Sequence, residues 1–255
     1  MIGRVALRVA DPEGASSFYE QAIGLRPLDG DGDAVRLGAD TPLVELIGDP
    51  AAPPAPRRST GLFHLAVLVP DRAELARAVH RLVAAGGRLD GAADHYVSEA
   101  VYLRDPEGNG IEIYRDRRRE EWEYGPDGEL RMGTEALDLA ALMRALPGDG
   151  DSGMPDGTRI GHVHLQVGDI GESEAFYAAG LGLDVTVRTY PGALFLSRDG
   201  YHHHVGVNTW AGAGLPAPPP GSRGLEWFEM TLPGVEEGLV SDPSGNRVLL
   251  RSAAA

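Results

Sequence analysis

The stretch GRVALRVADPEGASSFYEQAIGL, residues 3–25, recurs as GHVHLQVGDIGESEAFYAAGLGL at residues 161–183. Asp11, Phe18-Tyr19 and Gly24-Leu25 of the first copy match identical residues of the second at a constant spacing and without gaps. A match of this length indicates a repeated structural unit, because two copies of one pattern are expected to fold in the same way. The repeat therefore decides the fold class before any single residue is considered.

Two further copies follow these segments. The pair LFHLAVLVP (62–70) and EWFEMTLP (226–233) resembles the repeated first strand, and the pair DPEGN (105–109) and DPSGN (242–246) closes each copy. The last copy is shorter by about the length of a helix. The chain thus divides into modules one to four, at residues 1–50, 60–116, 158–212 and 222–253, of which module four is truncated.

Each module combines an alternating apolar strand, a helix and shorter strands that end in Gly- and Asp-rich turns. The predicted fold class is α+β, with four βαβββ modules that form two cupped mixed β-sheets flanked by helices. We expect an N-terminal half at 1–116 and a C-terminal half at 158–255. Between them lies a linker at 117–157, with a helix predicted after an N-cap at Thr134.

Composition narrows the range of functions. The 255 residues suggest one large or two small domains, and 23 basic against 38 acidic residues give a formal charge of −15. Such a charge repels phosphate backbones, so nucleic acid is not an expected partner. The chain has no cysteine, so any metal has to bind to His, Asp or Glu. No apolar stretch suits a signal peptide or a membrane span, and we expect a soluble cytoplasmic protein.

A comparison of the modules identifies two strand positions that occur in every module and whose side chains are expected to face the concave side of the sheet. In module order, the first-strand position holds Arg4, His64, His162 and Trp227, and the last-strand position holds Glu45, Glu112, His203 and Leu249. Pairing modules two and three unites His64, His162 and Glu112 with His203. Pairing neighbouring modules would instead separate the histidines and bring Glu45 towards His64 and Glu112.

The pairing of modules two and three predicts a metal centre. Two imidazoles and one carboxylate occupy one face of an octahedron and suit non-haem Fe(II). A single His on an apolar strand is more often a core residue, but an inward Glu112 would be costly to bury without a cation or hydrogen bonds. We predict His64, His162 and Glu112 as ligands and His203 as a nearby base. In the run 202–204, alternation places His203 on one face and the other two, exposed, on the opposite face.

The D-x6-F-Y-x4-G-L repeat and the DPEGNGIEIY strand ending resemble the vicinal-oxygen-chelate superfamily, which includes glyoxalase I, bleomycin-resistance proteins and extradiol dioxygenases. Within it, the chain is most similar to extradiol enzymes of the catechol 2,3-dioxygenase type. The resemblance implies Fe(II) ligands at His162, His64 and Glu112, and a catalytic His203 in a motif that lacks the usual aromatic. It also implies roles for Tyr102, ten residues before Glu112, and for His95 in the segment DHYVS.

Two departures accompany this resemblance. Many family members take their ligands from modules three and four, whereas module four here has Leu249 in place of the Glu. A further family histidine is absent near Gly91 or Ala92. The active site is therefore expected to span both halves of the chain, with a substrate choice of its own.

The resulting hypothesis is an extradiol dioxygenase that cleaves a catechol-type aromatic diol with O2. In this hypothesis His203 moves a proton, Tyr102 hydrogen-bonds the bound substrate, and His204 and His95 are lesser catalytic candidates. Candidate pocket residues are Trp210, Phe195 and Tyr190. The expected cofactor is Fe(II), and Mn(II), which accepts similar ligands, stays an alternative. Other readings are a non-oxidative metalloenzyme of the glyoxalase type, attractive if modules one and two pair, and a metal-free binding protein. Oligomeric state is left open.

Overall fold

The computed structural model describes residues 1–28, 34–126, 128–148 and 153–253. Its strands are β1 Ile2–Val9, β2 Arg26–Leu28, β3 Val35–Gly38, β4 Pro42–Gly48, β5 Gly61–Leu68, β6 Gly91–Asp94, β7 Ser98–Arg104, β8 Gly110–Asp116, β9 Glu135–Ala136, β10 Arg159–Gln166, β11 Asp184–Val187, β12 Ala193–Ser197, β13 Val205–Asn208, β14 Gly224–Pro233, β15 Gly238–Ser241 and β16 Arg247–Ala253. The α-helices are α1 Pro12–Phe18, α2 Arg72–Ala84, α3 Leu139–Met143 and α4 Ile170–Glu174. Helices α1 and α4 continue as π-helical turns, Tyr19–Ile23 and Ala175–Gly180.

The strands form two mixed sheets. Sheet one has the order β15-β16-β14-β1-β4-β3-β2, and sheet two has the order β11-β12-β13-β10-β5-β8-β7-β6-β9. Sheet one therefore joins modules one and four, and sheet two joins modules two and three through the antiparallel pair β5 and β10. The α+β class and the predicted pairing are confirmed. No helix packs between the strands of module four in the described chain, as its truncation predicts.

The repeated residues cap helices and join modules. Asp11 and Asp169 begin α1 and α4, where each side chain accepts a backbone N–H three residues later. The repeated tyrosines reach the DPxGN turns of the next module: Tyr19 donates to Asp105 (3.2 Å), and Tyr177 donates to Asp242 (3.0 Å). Both hydroxyls are buried, so these bonds satisfy groups that would otherwise cost stability.

The linker differs from its prediction. The helix is shorter than expected and begins after Asp138, whose side chain accepts the N–H of Ala141, so the N-cap predicted at Thr134 is wrong. Residues Glu135–Ala136 instead pair with β6 at the edge of sheet two, because this extended segment completes backbone hydrogen bonds there. Residues 127 and 149–152 of the linker lie outside the described residues, and the boundaries of the two halves stay a prediction.

Among the described residues, every helix is too short or too polar to cross a bilayer.

Candidate metal centre

Three neighbouring strands of sheet two bring the predicted ligands together. Glu112 on β8 lies opposite Ala66 on β5, and Ala66 in turn lies opposite His162 on β10. His64 precedes Ala66 by two residues and therefore points to the same face. The small side chain of Ala66 leaves room between Glu112 and His162, a contribution that sequence reasoning missed because alanine carries no chemical signal.

The three side chains converge on one carboxylate oxygen. Nε2 of His64 lies 2.9 Å from Oε2 of Glu112, and Nε2 of His162 lies 3.2 Å from the same oxygen. Glu112 is only 2 % exposed. Burial lowers the pKa of His162 to about 4, so this imidazole is neutral at neutral pH and offers a lone pair. A buried carboxylate beside two imidazole nitrogens is a donor set that suits a divalent cation.

The hydrogen-bond inventory supports a metal at this position. Within the described chain, both ring nitrogens of His64 and Nδ1 of His162 are buried without a hydrogen-bond partner. The 2.9 Å approach of His64 to Glu112 is close but lacks hydrogen-bond geometry. Native proteins rarely leave buried polar atoms unsatisfied, and a divalent ion held beside Glu112 would give Nε2 of His64 a partner. The residues present therefore fit a metal held by His64, His162 and Glu112.

A second cluster of nitrogen atoms shares His162 with His202 and His203. Here the nitrogens are already engaged: Nδ1 of His202 and Nδ1 of His203 lie 2.7 Å apart, and Nε2 of His202 lies 3.0 Å from Asp116. A metal at this second position would have to break those contacts. The first cluster is therefore the better candidate.

The contacts of His202 determine the tautomer of His203. Because the Asp116 carboxylate only accepts hydrogen bonds, Nε2 of His202 carries a proton, and in the neutral ring its Nδ1 is the acceptor. Nδ1 of His203 must then donate to it, which leaves Nε2 of His203 unprotonated and able to act as a base. His203 lines the cavity described below, as a proton-transfer role requires. Sequence reasoning missed the contacts of Asp116 and His202 with one another and with His203.

The predicted exposure of His202 is wrong. Alternation placed its side chain with that of His204 on an exposed face, yet His202 is fully buried. The reason is that β13 begins only at Val205, so residues 201–204 form an irregular turn to which strand alternation does not apply.

Replacing Asp116 by alanine is expected to lower kcat about 10- to 100-fold with little loss of metal, because His202 would no longer be held in the tautomer that orients His203. Steady-state kinetics and metal analysis of the same preparation would measure both quantities. Asp49→Ala, which removes a surface carboxylate paired with Arg8, is a matched control. Equal kinetics for the Asp116 variant and this control would show that His203 needs no such support.

Tyr102 lies next to Glu112 because the two residues are opposite each other in the β7–β8 hairpin. Its hydroxyl is 2.6 Å from Nε2 of His95, whose Nδ1 is 2.6 Å from the carbonyl oxygen of Gly133. Since the carbonyl only accepts, Nδ1 of His95 donates to Gly133, and in the neutral ring Nε2 accepts the hydrogen bond that the Tyr102 hydroxyl donates. Burial, together with the nearby Glu112 charge, raises the pKa of Tyr102 well above its usual value. Tyr102 is thus a neutral hydroxyl whose oxygen can accept a hydrogen bond from a ligand.

These groups surround one cavity of about 240 Å³. The predicted residues that line it are His64, Glu112, His162, His203, Tyr102, His95, Tyr190, Phe195 and Trp210. Residues that sequence reasoning missed are Phe63, His164, Met132, Gly133 and Thr134. The linker supplies the last three, so it forms one wall of the cavity. Thr134 is fixed there by a 2.7 Å hydrogen bond to Tyr190.

His204 lies apart from this cavity. Its ring packs beside Tyr201, and its Nδ1 accepts the backbone N–H of Arg198 at 3.2 Å. It is absent from the lining residues. Burial, together with the positive N-terminus, lowers the pKa of His204 to about 3. The structure thus associates His204 with stability rather than with a bound ligand.

The lowered pKa of His204 predicts a pH-dependent stability. The folded-state pKa of His204, about 3, lies below its unfolded value of 6.5. The contribution of the neutral imidazole to folding stability is therefore complete above pH 6.5 and is lost as the pH falls towards 3. Between pH 7.5 and 5.0 the free energy of unfolding of the metal-free wild type should fall by about 2 kcal/mol more than that of the His204→Gln variant. Urea unfolding at the two pH values measures this. His80→Gln, at an exposed helical position, should keep the wild-type pH dependence, and parallel curves for all three proteins would refute the assignment.

The equivalent position in sheet one carries no comparable donor set. Arg4 occupies the place of His64, and its guanidinium lies 3.2 Å from Glu45 and over the ring of Trp227. Arg36 donates to the same carboxylate at 2.9 Å. Arginine thus supplies the positive charge that Glu45 needs. Because Glu45 lies in the other sheet, the alternative site of Glu45, His64 and Glu112, and with it the main support for a glyoxalase-type enzyme, is not formed.

The chain matches the family model described as Glyoxalase/Bleomycin resistance protein/Dioxygenase superfamily over residues 1–113 and 159–237. Among curated proteins it is 43 % identical over 241 residues to "Catechol-2,3-dioxygenase" of Bacillus subtilis (strain 168), which covers 92 % of this chain and 84 % of that protein. The enzyme class in this name is the one that the sequence resemblance implies.

Solved structures agree in fold. A protein from Bacillus subtilis subsp. subtilis str. 168 aligns with a TM-score of 0.66 and 13 % identity, over 98 % of this chain and 84 % of its own. Glyoxalase I from Zea mays aligns with a TM-score of 0.59 and 15 % identity, over 98 % of this chain and 92 % of its own. At these identities the likeness concerns the arrangement of the modules alone.

Proposed function

The chain belongs to the Glyoxalase/Bleomycin resistance protein/Dioxygenase superfamily, and on this basis we propose that it is an Fe(II)-dependent extradiol dioxygenase that cleaves a catechol-type diol with O2. The observation that carries the proposal is the convergence of His64 Nε2, which has no hydrogen-bond partner, and His162 Nε2 on one oxygen of the buried Glu112 carboxylate. Two histidines and one carboxylate leave room for other ligands, which distinguishes this site from closed structural metal sites. The 43 % identical Bacillus subtilis relative supports the same reaction class.

Fe(II) held by His64, His162 and Glu112 would bind the two diol oxygens and O2 and allow electrons to pass between them. The protein side chains around it have separate tasks. His203, with Nε2 unprotonated, accepts a proton from a diol hydroxyl and returns it later to the product. Tyr102 accepts a hydrogen bond from the second hydroxyl while it donates to His95. Tyr102 on β7 and His203 in the turn before β13 line the same cavity, and together they orient the diol.

The aromatic wall of the cavity holds the ring and keeps out water. Phe195 packs edge-to-face against Tyr190, with ring centroids 5.6 Å apart, and lies 4.8 Å from the ring of His203. A flat aromatic substrate fits such a wall by stacking and by edge contacts. Exclusion of water strengthens the hydrogen bonds that Tyr102 and His203 make to the diol. A small aromatic diol is therefore the substrate class that this cavity favours.

The proposal is tested by loading the protein anaerobically with Fe(II), adding a panel of catechols and admitting air. We expect O2 uptake and a yellow ring-opened product with at least one diol. A parallel sample loaded with Mn(II) shows which metal supports the reaction, since O2 uptake is expected only from the protein that holds the active metal. Full Fe(II) and Mn(II) occupancy without O2 uptake for any diol would overturn the proposal.

A further inference from the structure

Tyr96 has a strained backbone conformation beside the cavity at the metal centre, and we propose that this residue positions the His95–Tyr102 pair by clamping the linker; this inference rests on the proposed function. The φ angle of Tyr96 is +68°, and among the described residues Asp199 is the other non-glycine residue with a positive φ. A large aromatic residue in this left-handed region costs stability and persists where its surroundings hold it in place. The contacts of Tyr96 therefore show what the strain supports.

The turn between β6 and β7 holds Tyr96 from one side. The backbone N–H of Tyr96 donates to Oδ1 of Asp94 at 2.9 Å, and the N–H of His95 donates to the carbonyl oxygen of Ser98 at 2.9 Å. The other carboxylate oxygen of Asp94 pairs with Arg117. In this tight turn His95 lines the cavity, while the next side chain, that of Tyr96, contacts the linker.

The linker segment that Tyr96 contacts comprises residues 131–135 and is here called the linker strap. Cζ of Arg131 lies 4.7 Å from the centroid of the Tyr96 ring, and the Tyr96 hydroxyl donates to Glu135 at 2.9 Å. Between these contacts the ring packs on Gly133, where an added Cβ would lie 2.6 Å from Cε2 of the ring. Carbon atoms pack at about 3.5–4.0 Å, so a side chain at residue 133 does not fit. Tyr96 thus clamps the linker strap against the β6–β7 turn.

The clamp places the Gly133 carbonyl beside His95. This oxygen lies 2.6 Å from Nδ1 of His95, and Nε2 of His95 lies 2.6 Å from the Tyr102 hydroxyl. A neutral imidazole has one donor and one acceptor nitrogen, so the carbonyl determines that the nitrogen beside Tyr102 is the acceptor. With the proton on Nε2 instead, Tyr102 would accept from His95 and turn its own hydrogen towards Glu112 or the diol. The Gly133 carbonyl therefore sets whether Tyr102 accepts or donates a hydrogen bond at the diol.

A second group of the linker strap competes for the same nitrogen. The Thr134 hydroxyl lies 3.4 Å from Nδ1 of His95, farther than the Gly133 carbonyl at 2.6 Å. Unlike the carbonyl, a hydroxyl can donate to Nδ1, and it would then favour the opposite tautomer of His95. The Tyr96 ring on Gly133 keeps the carbonyl nearer than the hydroxyl. Loss of this contact is therefore expected to change the tautomer as well as the stability of the strap.

The first test uses metal-free protein with isotopically labelled histidine, in which long-range proton–nitrogen NMR distinguishes protonated from unprotonated ring nitrogens. The His95→Gln variant identifies the signals of His95, and we expect its proton on Nδ1 in the wild type. Gly133→Ala, whose methyl group would displace the ring, and Tyr96→Gly, which suits the positive φ but removes the ring, should each yield a mixture of tautomers or the reversed one. Gly148→Ala is a matched control in the linker, because an added Cβ there meets no described atom within 4 Å, and it should keep the wild-type signals.

Kinetics separate positioning from mere stability. In the Fe(II)-loaded protein, Gly133→Ala and Tyr96→Gly should raise KM for catechol about tenfold with kcat within a few-fold of the wild type, since a hydrogen bond to the bound diol is lost. Because both residues act through Tyr102, Gly133→Ala should add nothing to KM in a Tyr102→Phe background. Tyr96→Phe keeps the ring and loses the bond to Glu135, and its KM should stay near the wild-type value.

The outcomes separate the two proposals. An unchanged His95 tautomer in Gly133→Ala and Tyr96→Gly would overturn the positioning role of Tyr96 even if catechol is cleaved. A rise in KM that persists in the Tyr102→Phe background would also contradict it, since the effect would then come from the shape of the cavity. Absence of turnover with any diol would overturn the proposed function, and the NMR comparison of the metal-free proteins would still decide whether Tyr96 sets the tautomer of His95.

Discussion

Replacement of Glu112 by alanine is expected to abolish metal binding and to reduce turnover at least a thousandfold. The variant would leave His64 and His162 as the remaining ligands and would remove the negative charge that offsets the cation. Metal content after anaerobic loading and desalting measures the first effect, and O2 uptake measures the second. A folded protein is expected, since in the absence of a metal the buried Glu112 carboxylate is costly and only the hydrogen bond with His162 offsets that cost.

Sheet one provides a matched control within the same chain. Glu45 occupies the position equivalent to Glu112 but pairs with Arg4 and Arg36. The Glu45→Ala variant should therefore retain the metal. Its free energy of unfolding should be lower than that of the wild type, since Arg4 and Arg36 lose the carboxylate they share. If Glu112→Ala bound Fe(II) as tightly as Glu45→Ala, the assignment of the ligand set would be wrong.

Replacement of His203 by phenylalanine is expected to keep the metal and lose 100- to 10,000-fold in kcat. The ring volume is retained, whereas the imidazole that accepts and returns the proton is removed. The comparison with His204→Phe is informative, because the two residues are adjacent in sequence but only His203 lines the cavity. His204→Phe should remain within a few-fold of the wild type in kcat. Loss of iron in the His203 variant would instead make His203 a ligand, as the second nitrogen cluster would allow.

The internal repeat made most of the fold predictable. Asp11 and Asp169 begin equivalent helices, and the DPxGN turns close equivalent hairpins, because each repeated side chain completes the same local hydrogen bonds in every copy. Even the pairing of the modules could be inferred, from the distribution of His64 and His162. The linker was less predictable. It has no repeat partner, and its conformation depends on contacts with sheet two that no local pattern encodes.

The candidate site was predictable where strands are regular and less so elsewhere. His64, Glu112 and His162 follow from alternation on β5, β8 and β10. Phe63 enters the same cavity because a bulge leaves it without a partner on β10, which turns its ring to the side of His64. His202 contacts Asp116 from an irregular turn, where spacing in sequence does not determine the direction of a side chain. His164 was overlooked although it lies two residues from His162, a spacing that places both on one face.

The two sheets together show how duplication can separate stability from chemistry. Sheet one keeps the carboxylate at Glu45 but pairs it with arginines, and it supports the fold without an open site. Sheet two keeps the same framework with imidazoles, and both nitrogens of His64 and Nδ1 of His162 have no hydrogen-bond partner among the described residues. The positions that differ between these otherwise similar frameworks are those expected to carry the function.

The most direct test of the account is the fate of isotopically labelled O2 in a reaction of the Fe(II)-loaded protein with a catechol. Ring cleavage at this site predicts that one molecule of O2 is consumed for each diol and that both labelled atoms appear in a ring-opened product that is trapped before its aldehyde oxygen exchanges with water. A trapped product with one labelled atom, or O2 consumption that yields peroxide and leaves the ring intact, would contradict a ring-cleaving dioxygenase at the site of His64, His162 and Glu112.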